Sequence, residues 1–147
     1  MPELAGEAAT YVEAPPDRCY ALVADVTRMA EWSPETVRAR WVGGATGPAV
    51  GARFRGTNKQ GIIRWSTTPE VLVVAPSREF AFRTKETVWR YRFEPEGTGT
   101  RITESFEVEH YPWYLKVVAP ASRRQPEMVE GMRTTLERIK AAAEAAA

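Results

Sequence analysis

The sequence predicts an α+β domain in which a curved antiparallel sheet of about seven strands wraps around one long C-terminal helix. Three observations lead to this prediction. Apolar residues alternate over much of residues 37–109, they recur at helical spacing near the C-terminus, and two prolines separate a first strand from a short helix. A sheet with one apolar face needs a cover, and the C-terminal helix is long enough to provide it.

The composition is that of an ordinary globular domain. The chain has 147 residues, of which 44% are hydrophobic and 27% charged, and such a chain forms a sizeable core without disulfides or metals. We expect residues 1–147 to be one domain, because no repeat or linker interrupts the pattern. Twenty basic and nineteen acidic residues give a net charge of +1, so we expect no nucleic-acid partner.

The start of the chain and its cysteine content indicate a reducing compartment. Cys19 is the only cysteine, and the first eight residues contain Glu3 and Glu7 but no apolar run typical of a signal peptide. No window resembles a membrane span. We therefore expect a cytoplasmic protein without stable membrane insertion, either a monomer or a weak homodimer.

The first elements are a strand and two short helices. Gly6 to Ala14 alternates as a strand and stops at Pro15-Pro16, which suits the first turn of a helix. The spacing of apolar residues predicts a helix from Pro16 to Val26. A second short helix, Thr27 to Trp32, ends before Pro34.

A run of antiparallel strands follows, with turn residues between them. Trp89, Tyr91 and Phe93 share one face of a strand, whereas Arg90 and Arg92 share the other. The sheet thus has one apolar face and one charged face, and we expect most strand arginines to be solvated on the charged face. The predicted strands are Thr36–Val42, Ala52–Asn58, Ile62–Ala75, Glu79–Thr84, Val88–Glu94 and Thr100–Glu109.

The last predicted element is an amphipathic helix from Pro126 to Ala143. Its charged residues lie opposite an apolar stripe that we expect to cover the apolar face of the sheet. The stripe consists of Met128, Val129, Met132, Leu136 and Ile139.

Several sequence stretches carry a resemblance to a known superfamily. They are Ala14-Pro15-Pro16, Leu22-Val23-Ala24-Asp25-Val26, Glu31-Trp32-Ser33-Pro34, Trp41-Val42-Gly43-Gly44, Val50 to Gly56, Trp89 to Pro95 and Gly99 to Glu104. With this element order, the chain resembles polyketide cyclase/dehydrase-like members of the superfamily (SRPBCC) that includes the START lipid-transfer domains and the birch-pollen-allergen proteins. The resemblance implies the helix-grip fold and an internal apolar cavity for lipids, polyketide intermediates or other hydrophobic compounds.

On this resemblance, the inward-facing side chains are together expected to line the cavity, although ordinary core packing is the preferred interpretation of any single aromatic ring. The methionines would let the pocket adapt to the shape of a ligand. The predicted ligand-binding residues are Trp32, Trp41, Phe54, Asn58, Trp65, Thr67, Phe82, Trp89, Tyr91, Glu104, Phe106, Met128, Met132 and Leu136.

Glu104 is the residue that points most directly to chemistry, because it takes an inward position between Ile102 and Phe106. A buried carboxylate must be paired or protonated. It is either a ligand anchor or general acid with a raised pKa, or a structural residue that is paired with an arginine or backbone N–H group or lies in water near the cavity mouth. Glu104 is the one candidate catalytic residue, and a weak one.

Other chemistry-bearing residues predict no further site. His110, the only histidine, follows the last strand and is expected on the surface. One histidine and one cysteine provide no metal-ligand cluster, and the glycines of residues 43–48 lack the spacing of a phosphate-binding loop. We expect no cofactor and no metal.

Residues 111–120 leave three alternatives open: a lid over the cavity, a turn packed on the sheet, or a membrane-touching segment, since Trp and Tyr suit interfaces. We expect ligands to enter near the loops that flank Trp32, residues 43–51 and residues 111–120.

Two functions from different classes fit these observations. The first is binding of a small hydrophobic molecule, lipid or polyketide-like, for transport or sequestration. The second is a cyclase or dehydratase in which Glu104 or a hydroxyl group moves protons. A regulatory or toxin-like protein-interaction role occurs in relatives and is a third alternative. A second titratable group near Glu104 beside a water-accessible cavity favours chemistry, and a single arginine partner favours a structural role.

Overall fold

The computed structural model describes residues 1–145. The fold class is the predicted one, a curved antiparallel sheet around a long helix, known as the helix-grip fold. The helices are α1 (Pro16–Ala24), a 3-10 helix (Val26–Glu31), α2 (Trp113–Val118) and α3 (Ala121–Ala145). The strands are β1 (Leu4–Val12), β2 (Thr36–Val42), β3 (Arg53–Gln60), β4 (Ile63–Thr67), β5 (Glu70–Ala75), β6 (Glu79–Thr84), β7 (Thr87–Glu96) and β8 (Gly99–Val108).

All strands belong to one antiparallel sheet in the order β1-β8-β7-β6-β5-β3-β2, and β4 pairs with β3 outside this path. The pairing register shifts between Thr36 and Arg38 in β2 and between Val71 and Val73 in β5. Such bulges increase the local twist and bend the strand. They let the sheet curl around the helix.

The predicted strand Ile62–Ala75 is wrong as a single element. It divides into β4 and β5, with Thr68 and Pro69 between them. Proline lacks the N–H group that a ladder requires and occurs at strand ends or bulges. Pro69 instead accepts a hydrogen bond through its carbonyl oxygen from the Phe54 amide, 3.2 Å away, so the chain changes its pairing from one part of β3 to another.

Helix α3 begins at Ala121, five residues before the predicted start at Pro126. Pro126 lies inside the second turn, where its missing N–H group removes one intrahelical hydrogen bond. The predicted stripe does face inward: Met132, Leu136 and Ile139 are buried. The charged face of α3 stays exposed.

Close backbone packing fixes α3 and β1 against their neighbours. A Cβ atom on Gly6 would lie 2.9 Å from Val129 Cγ2 and 3.0 Å from Phe106 Cε1, so β1 approaches α3 closely. A Cβ atom on Gly99 would overlap the carbonyl oxygen of Val12. Helix α3 thus contacts β1 and β8 directly, and the strands β3, β4, β6 and β7 curl away from its first half.

The outer face of the sheet carries the arginines, as predicted. Arg53, Arg55, Arg64, Arg83 and Arg92 are exposed, and Arg90 and Arg101 are half-buried. Glu79 forms an ion pair of 2.7 Å with Arg90 on the neighbouring strand. This face is a solvated, partly neutralised surface.

Residues 111–120 form a short helix, α2, between Pro112 and Ala119. Tyr111 is buried, and its hydroxyl group donates a hydrogen bond to the carbonyl oxygen of Ala119. Lys116 forms an ion pair of 2.7 Å with Glu3. These contacts hold the helix to the body of the protein while much of its apolar surface faces outward. Within residues 1–145, no helix is long and apolar enough to cross a membrane.

Candidate functional site

A cavity of about 370 Å³ lies between the first half of α3 and the strands that curl away from it. Its volume falls in the range of small-molecule sites, roughly 300–1,000 Å³. Its walls come from the inner faces of β3, β4, β6, β7 and β8, from α3, and from the segment that joins the 3-10 helix to β2.

Two glycines help to leave this space open. Gly56 on β3 and Gly131 on α3 line the cavity from opposite sides. A Cβ atom on Gly56 would approach Thr67 Oγ1 to 3.7 Å, and one on Gly131 would come no closer than 4.0 Å to Pro34 Cγ. Glycine inside a helix costs about 1 kcal/mol relative to alanine. Steric crowding therefore does not explain why either position is a glycine. The absence of a side chain at both positions does enlarge the cavity.

Glu104 and Tyr91 form the buried polar end of the cavity. Both residues line it, and the Tyr91 hydroxyl donates a hydrogen bond of 2.9 Å to Glu104 Oε2. In the part of the chain that the structure describes, the other carboxyl oxygen, Oε1, is buried and has no hydrogen-bond partner. The partner of Glu104 is thus a tyrosine, a second titratable group beside a cavity, and no arginine pairs with it among the described ion pairs.

Burial dominates the electrostatics of this pair. Desolvation raises the pKa of Glu104 to about 8, and the hydrogen bond from Tyr91 opposes the shift only partly. Burial and the neighbouring carboxyl group raise the pKa of Tyr91 well above its usual value. Near neutral pH both groups are mainly protonated. With Tyr91 donating to Oε2, a proton carried on Oε1 would be a hydrogen-bond donor without a protein partner.

Polar groups also occur elsewhere around the cavity. The Thr36 hydroxyl donates a hydrogen bond of 3.0 Å to Asn58 Oδ1, which connects β2 to β3. Arg124 and Glu127, on the first turns of α3, lie 3.6 Å apart and line a more exposed part. The lining therefore combines apolar side chains with several polar ones.

Most of the residues predicted from the sequence line this cavity. The ten that do so are Phe54, Asn58, Trp65, Thr67, Phe82, Trp89, Tyr91, Glu104, Met128 and Met132. Whether any of them binds a ligand stays a prediction.

Four predicted residues lie elsewhere. Trp32 and Leu136 are buried in the main core beside α1, and Phe106 packs in a second core cluster with Met132. Trp41 is half-buried and packs edge-on against Phe54, with ring centres 5.8 Å apart. Alternation identifies the inner face of a strand, but it does not distinguish inner residues that fill the core from those beside the cavity.

Sequence reasoning missed lining residues from loops, from the unpredicted start of α3 and from elements that it did predict. Pro34 and Glu35 belong to the segment before β2, Arg124 belongs to the unpredicted start of α3, and Met29 and Glu127 lie in predicted helices. Pro120, directly before Ala121, was the available signal for an earlier helix start, because proline suits the start of a helix.

Where a ligand enters the cavity stays a prediction. Ser33 and Pro34, next to Trp32, line the cavity, whereas residues 43–51 and 111–120 are not part of its described lining. Residues 43–51 lie at the opposite end of β3 from Gln60, which does line it. His110 is exposed, with Nδ1 3.9 Å from Glu3 Oε1. Among residues 1–145, no three His, Cys, Asp or Glu side chains are grouped as metal ligands would be.

The fold and the cavity together define a helix-grip protein with an internal apolar pocket. Residues 5–144 match the sequence profile of the family described as "Polyketide cyclase / dehydrase and lipid transport" (Polyketide_cyc2). The chain belongs to this family, as the resemblance indicated. The sequence matches no curated protein.

Solved structures agree with this assignment. The Polyketide_cyc-like protein Cgl2372 from Corynebacterium glutamicum is 33% identical, with 95% of this chain and 91% of that chain covered and a TM-score of 0.67. The di-domain ARO/CYC StfQ from the steffimycin biosynthetic pathway is 14% identical, with 96% and 50% covered and a TM-score of 0.78. Major latex-like protein 151 from Panax ginseng is 14% identical, with 95% and 98% covered and a TM-score of 0.73. The latter two show the fold alone.

Proposed function

We propose that this protein binds a small, largely apolar molecule in the cavity and holds its polar group through Glu104. The observation that carries the proposal is a buried carboxyl oxygen without a protein partner in the described chain, in a cavity whose lining combines aromatic and methionine side chains with polar ones. A buried polar group without a partner costs on the order of 1–3 kcal/mol. A ligand that provides the missing hydrogen bond recovers this energy.

The protonation state of the pair limits the chemistry of the ligand. Because the pKa of Glu104 is about 8, its Oε1 donates a hydrogen bond at neutral pH. The favoured ligand therefore carries an oxygen acceptor, such as a carbonyl, ether or hydroxyl oxygen, on an otherwise apolar body. A carboxylate ligand near Glu104 would disfavour ionisation of both groups. We propose that the chain acts in this way as one domain in the cytoplasm, which its single cysteine favours.

Gly131 allows a test that does not disturb the Glu104 pair. Gly131→Phe places a bulky side chain where only Pro34 Cγ lies within 4.0 Å of the new Cβ atom, so it should fill the cavity. The matched control Gly131→Ala adds one methyl group and improves helix propensity by about 1 kcal/mol. Binding of an environment-sensitive apolar dye is measured for all three proteins. We expect one dye per chain for the wild type and the alanine variant and none for the phenylalanine variant, with all three folded. Equal dye binding by the phenylalanine variant would contradict the proposal.

A second candidate function is proton transfer on a bound substrate, as in a polyketide-type cyclase or dehydratase. The observation that favours it is the contact between Glu104 and Tyr91, because a general acid or base works best when its pKa is near the working pH. The likeness to StfQ, whose name describes an ARO/CYC, adds an analogy of fold only.

An experiment with an apolar ketone such as β-tetralone in deuterated water distinguishes the two functions. A proton-transfer enzyme removes a hydrogen from the carbon next to the carbonyl and returns deuterium, which proton NMR detects. The catalytic function would be established if the wild type accelerates this exchange and Glu104→Gln, which still binds the probe, does not. Binding without accelerated exchange would leave the binding function.

A further inference from the structure

Two surface segments expose apolar side chains beside basic ones. The first is the tip of the β3–β4 hairpin, where the exposed fractions of Ile62 and Ile63 are 97% and 64%. Lys59 and Arg64 form the adjacent cross-strand pair. Single exposed apolar residues are ordinary. Here two adjacent isoleucines are exposed together at a hairpin tip, next to the basic side chains of Lys59 and Arg64. We call these residues, 59–64, the hairpin tip.

The second segment is α2. Trp113, Tyr114, Val117 and Val118 are 76%, 57%, 75% and 68% exposed. Because successive ones are one or three positions apart, they lie on one side of the helix. Leu115 lies on the other side and packs against the second core cluster. The helix is held by the contacts of Tyr111 and Lys116 described above, so its apolar side is presented outward by an anchored element.

The hairpin and the start of α3, which follows α2 in the chain, line the cavity from different sides. Gln60 and Trp65 of the hairpin line it, and so do Arg124 and Met128, which follow α2 at the start of α3. The part of the cavity that is lined by the exposed residues Gln60 and Glu127 therefore lies between the hairpin and the helix that follows α2.

Charge is distributed unevenly between these segments and the rest of the chain. Residues 56–69 and 110–126 hold five basic side chains and no acidic one, while the remaining chain holds fifteen basic and nineteen acidic side chains. Glu3 neutralises Lys116, and Glu127 lies just beyond. The five basic residues are Lys59, Arg64, Lys116, Arg123 and Arg124.

We propose that the hairpin tip and α2 form a peripheral docking surface for an anionic lipid bilayer, which brings the mouth of the cavity against the membrane. Tryptophan and tyrosine favour the membrane interface, isoleucine and valine enter the boundary of the acyl chains, and basic residues are attracted to anionic headgroups. A second copy of the chain is a poorer partner, because it would bring the same positive segments together.

The test is co-sedimentation of the full chain with vesicles. One set contains only phosphatidylcholine and the other equimolar phosphatidylcholine and phosphatidylglycerol. We expect partitioning to the anionic vesicles, weaker at high salt, and little to the neutral ones. Lys59→Gln with Arg64→Gln should reduce partitioning by roughly fivefold for each charge removed. Ile62→Asp with Ile63→Asp should reduce it by roughly tenfold or more.

Val50→Asp is the matched control, because Val50 is 71% exposed at the opposite end of β3. It should partition like the wild type. The proposal is overturned if the wild type does not bind the anionic vesicles, or if Val50→Asp loses as much binding as the hairpin variant. It is also overturned if sedimentation shows a dimer that the hairpin substitutions dissociate. Dye binding by the same variants tests the cavity separately, and we expect it to be unchanged.

Discussion

The side chains of Tyr91 and Glu104 meet at 2.9 Å because their residues stand directly opposite each other on β7 and β8. Opposite residues of an antiparallel pair share one face of the sheet. A slip of one residue in this register would turn one of the two side chains to the outer face and separate the pair. The polar end of the cavity is therefore fixed by the pairing of two long central strands.

The first prediction concerns pH. The pKa of Glu104 is raised from 4.5 to about 8 in the folded protein, so protonation favours folding. The stabilisation is fully present below about pH 4.5 and is lost as the pH rises to about 8. Over this window the free energy of unfolding should fall by about 1.4 kcal/mol for each pH unit through this group. Denaturant titrations at several pH values measure it.

Glu104→Gln isolates this contribution, because glutamine keeps the shape and stays neutral. Above pH 8 the variant should be more stable than the wild type, and the difference should shrink as the pH falls. Glu107→Gln, on the exposed face of the same strand, is the control and should follow the wild type. Parallel pH curves for wild type and Glu104→Gln would show that Glu104 has an ordinary pKa.

The second prediction concerns the hydroxyl group of Tyr91. In Tyr91→Phe both carboxyl oxygens of Glu104 lack a partner, so the free energy of unfolding should fall by about 1–3 kcal/mol. The pKa of Glu104 should rise further, because the bond from Tyr91 lowers it. Carboxyl chemical shifts followed by carbon NMR measure this pKa. Tyr114→Phe, on the exposed side of α2, should change neither quantity.

Alternation along β7 and β8 was sufficient to predict the inward position of Glu104 from the sequence. Both strands are long, regular and continuous, so the period of two holds over their full length. The hydroxyl group of Tyr91 was not predicted as the partner, because pairing between strands depends on register, which a single strand does not reveal. Its position on the inner face was predicted.

The cavity itself could not be located in the same way. Phe82 and Phe106 both occupy inward positions in core clusters, yet only Phe82 also lines the cavity. The difference arises because α3 contacts β1 and β8 and diverges from the strands beyond. That divergence depends on where α3 begins and on the bulges in β2 and β5. The alternation of apolar and polar residues along the strands predicts neither.

The third prediction tests the stripe of α3. Leu136 is 1% exposed, and Leu136→Asp would bury a charge without a partner. The free energy of unfolding should fall by on the order of 5 kcal/mol, enough to prevent folding. Leu136→Ala is the milder variant and should cost about 2–5 kcal/mol. Ala141→Asp, on the exposed face of the same helix, should cost less than about 1 kcal/mol in the same denaturant titration.

The last prediction uses the tryptophans as local reporters. Trp65 and Trp89 line the cavity, Trp32 lies in the main core, and Trp113 is exposed on α2. A brominated hydrocarbon quenches an indole only near contact, so a molecule in the cavity should quench Trp65 and Trp89. Quenching should therefore diminish in Trp65→Phe and Trp89→Phe and persist in Trp32→Phe.

The exposed Trp113 separates cavity binding from adsorption at the surface, because a hydrocarbon on α2 would quench Trp113 first. Trp113→Phe should retain the quenching of the wild type, and quenching should saturate at one molecule per chain. Gly131→Phe should abolish the saturable part, since its side chain would occupy the cavity that Trp65 and Trp89 also line. Quenching that disappears with Trp113→Phe and survives Gly131→Phe would place the hydrocarbon on the surface and contradict binding in the cavity.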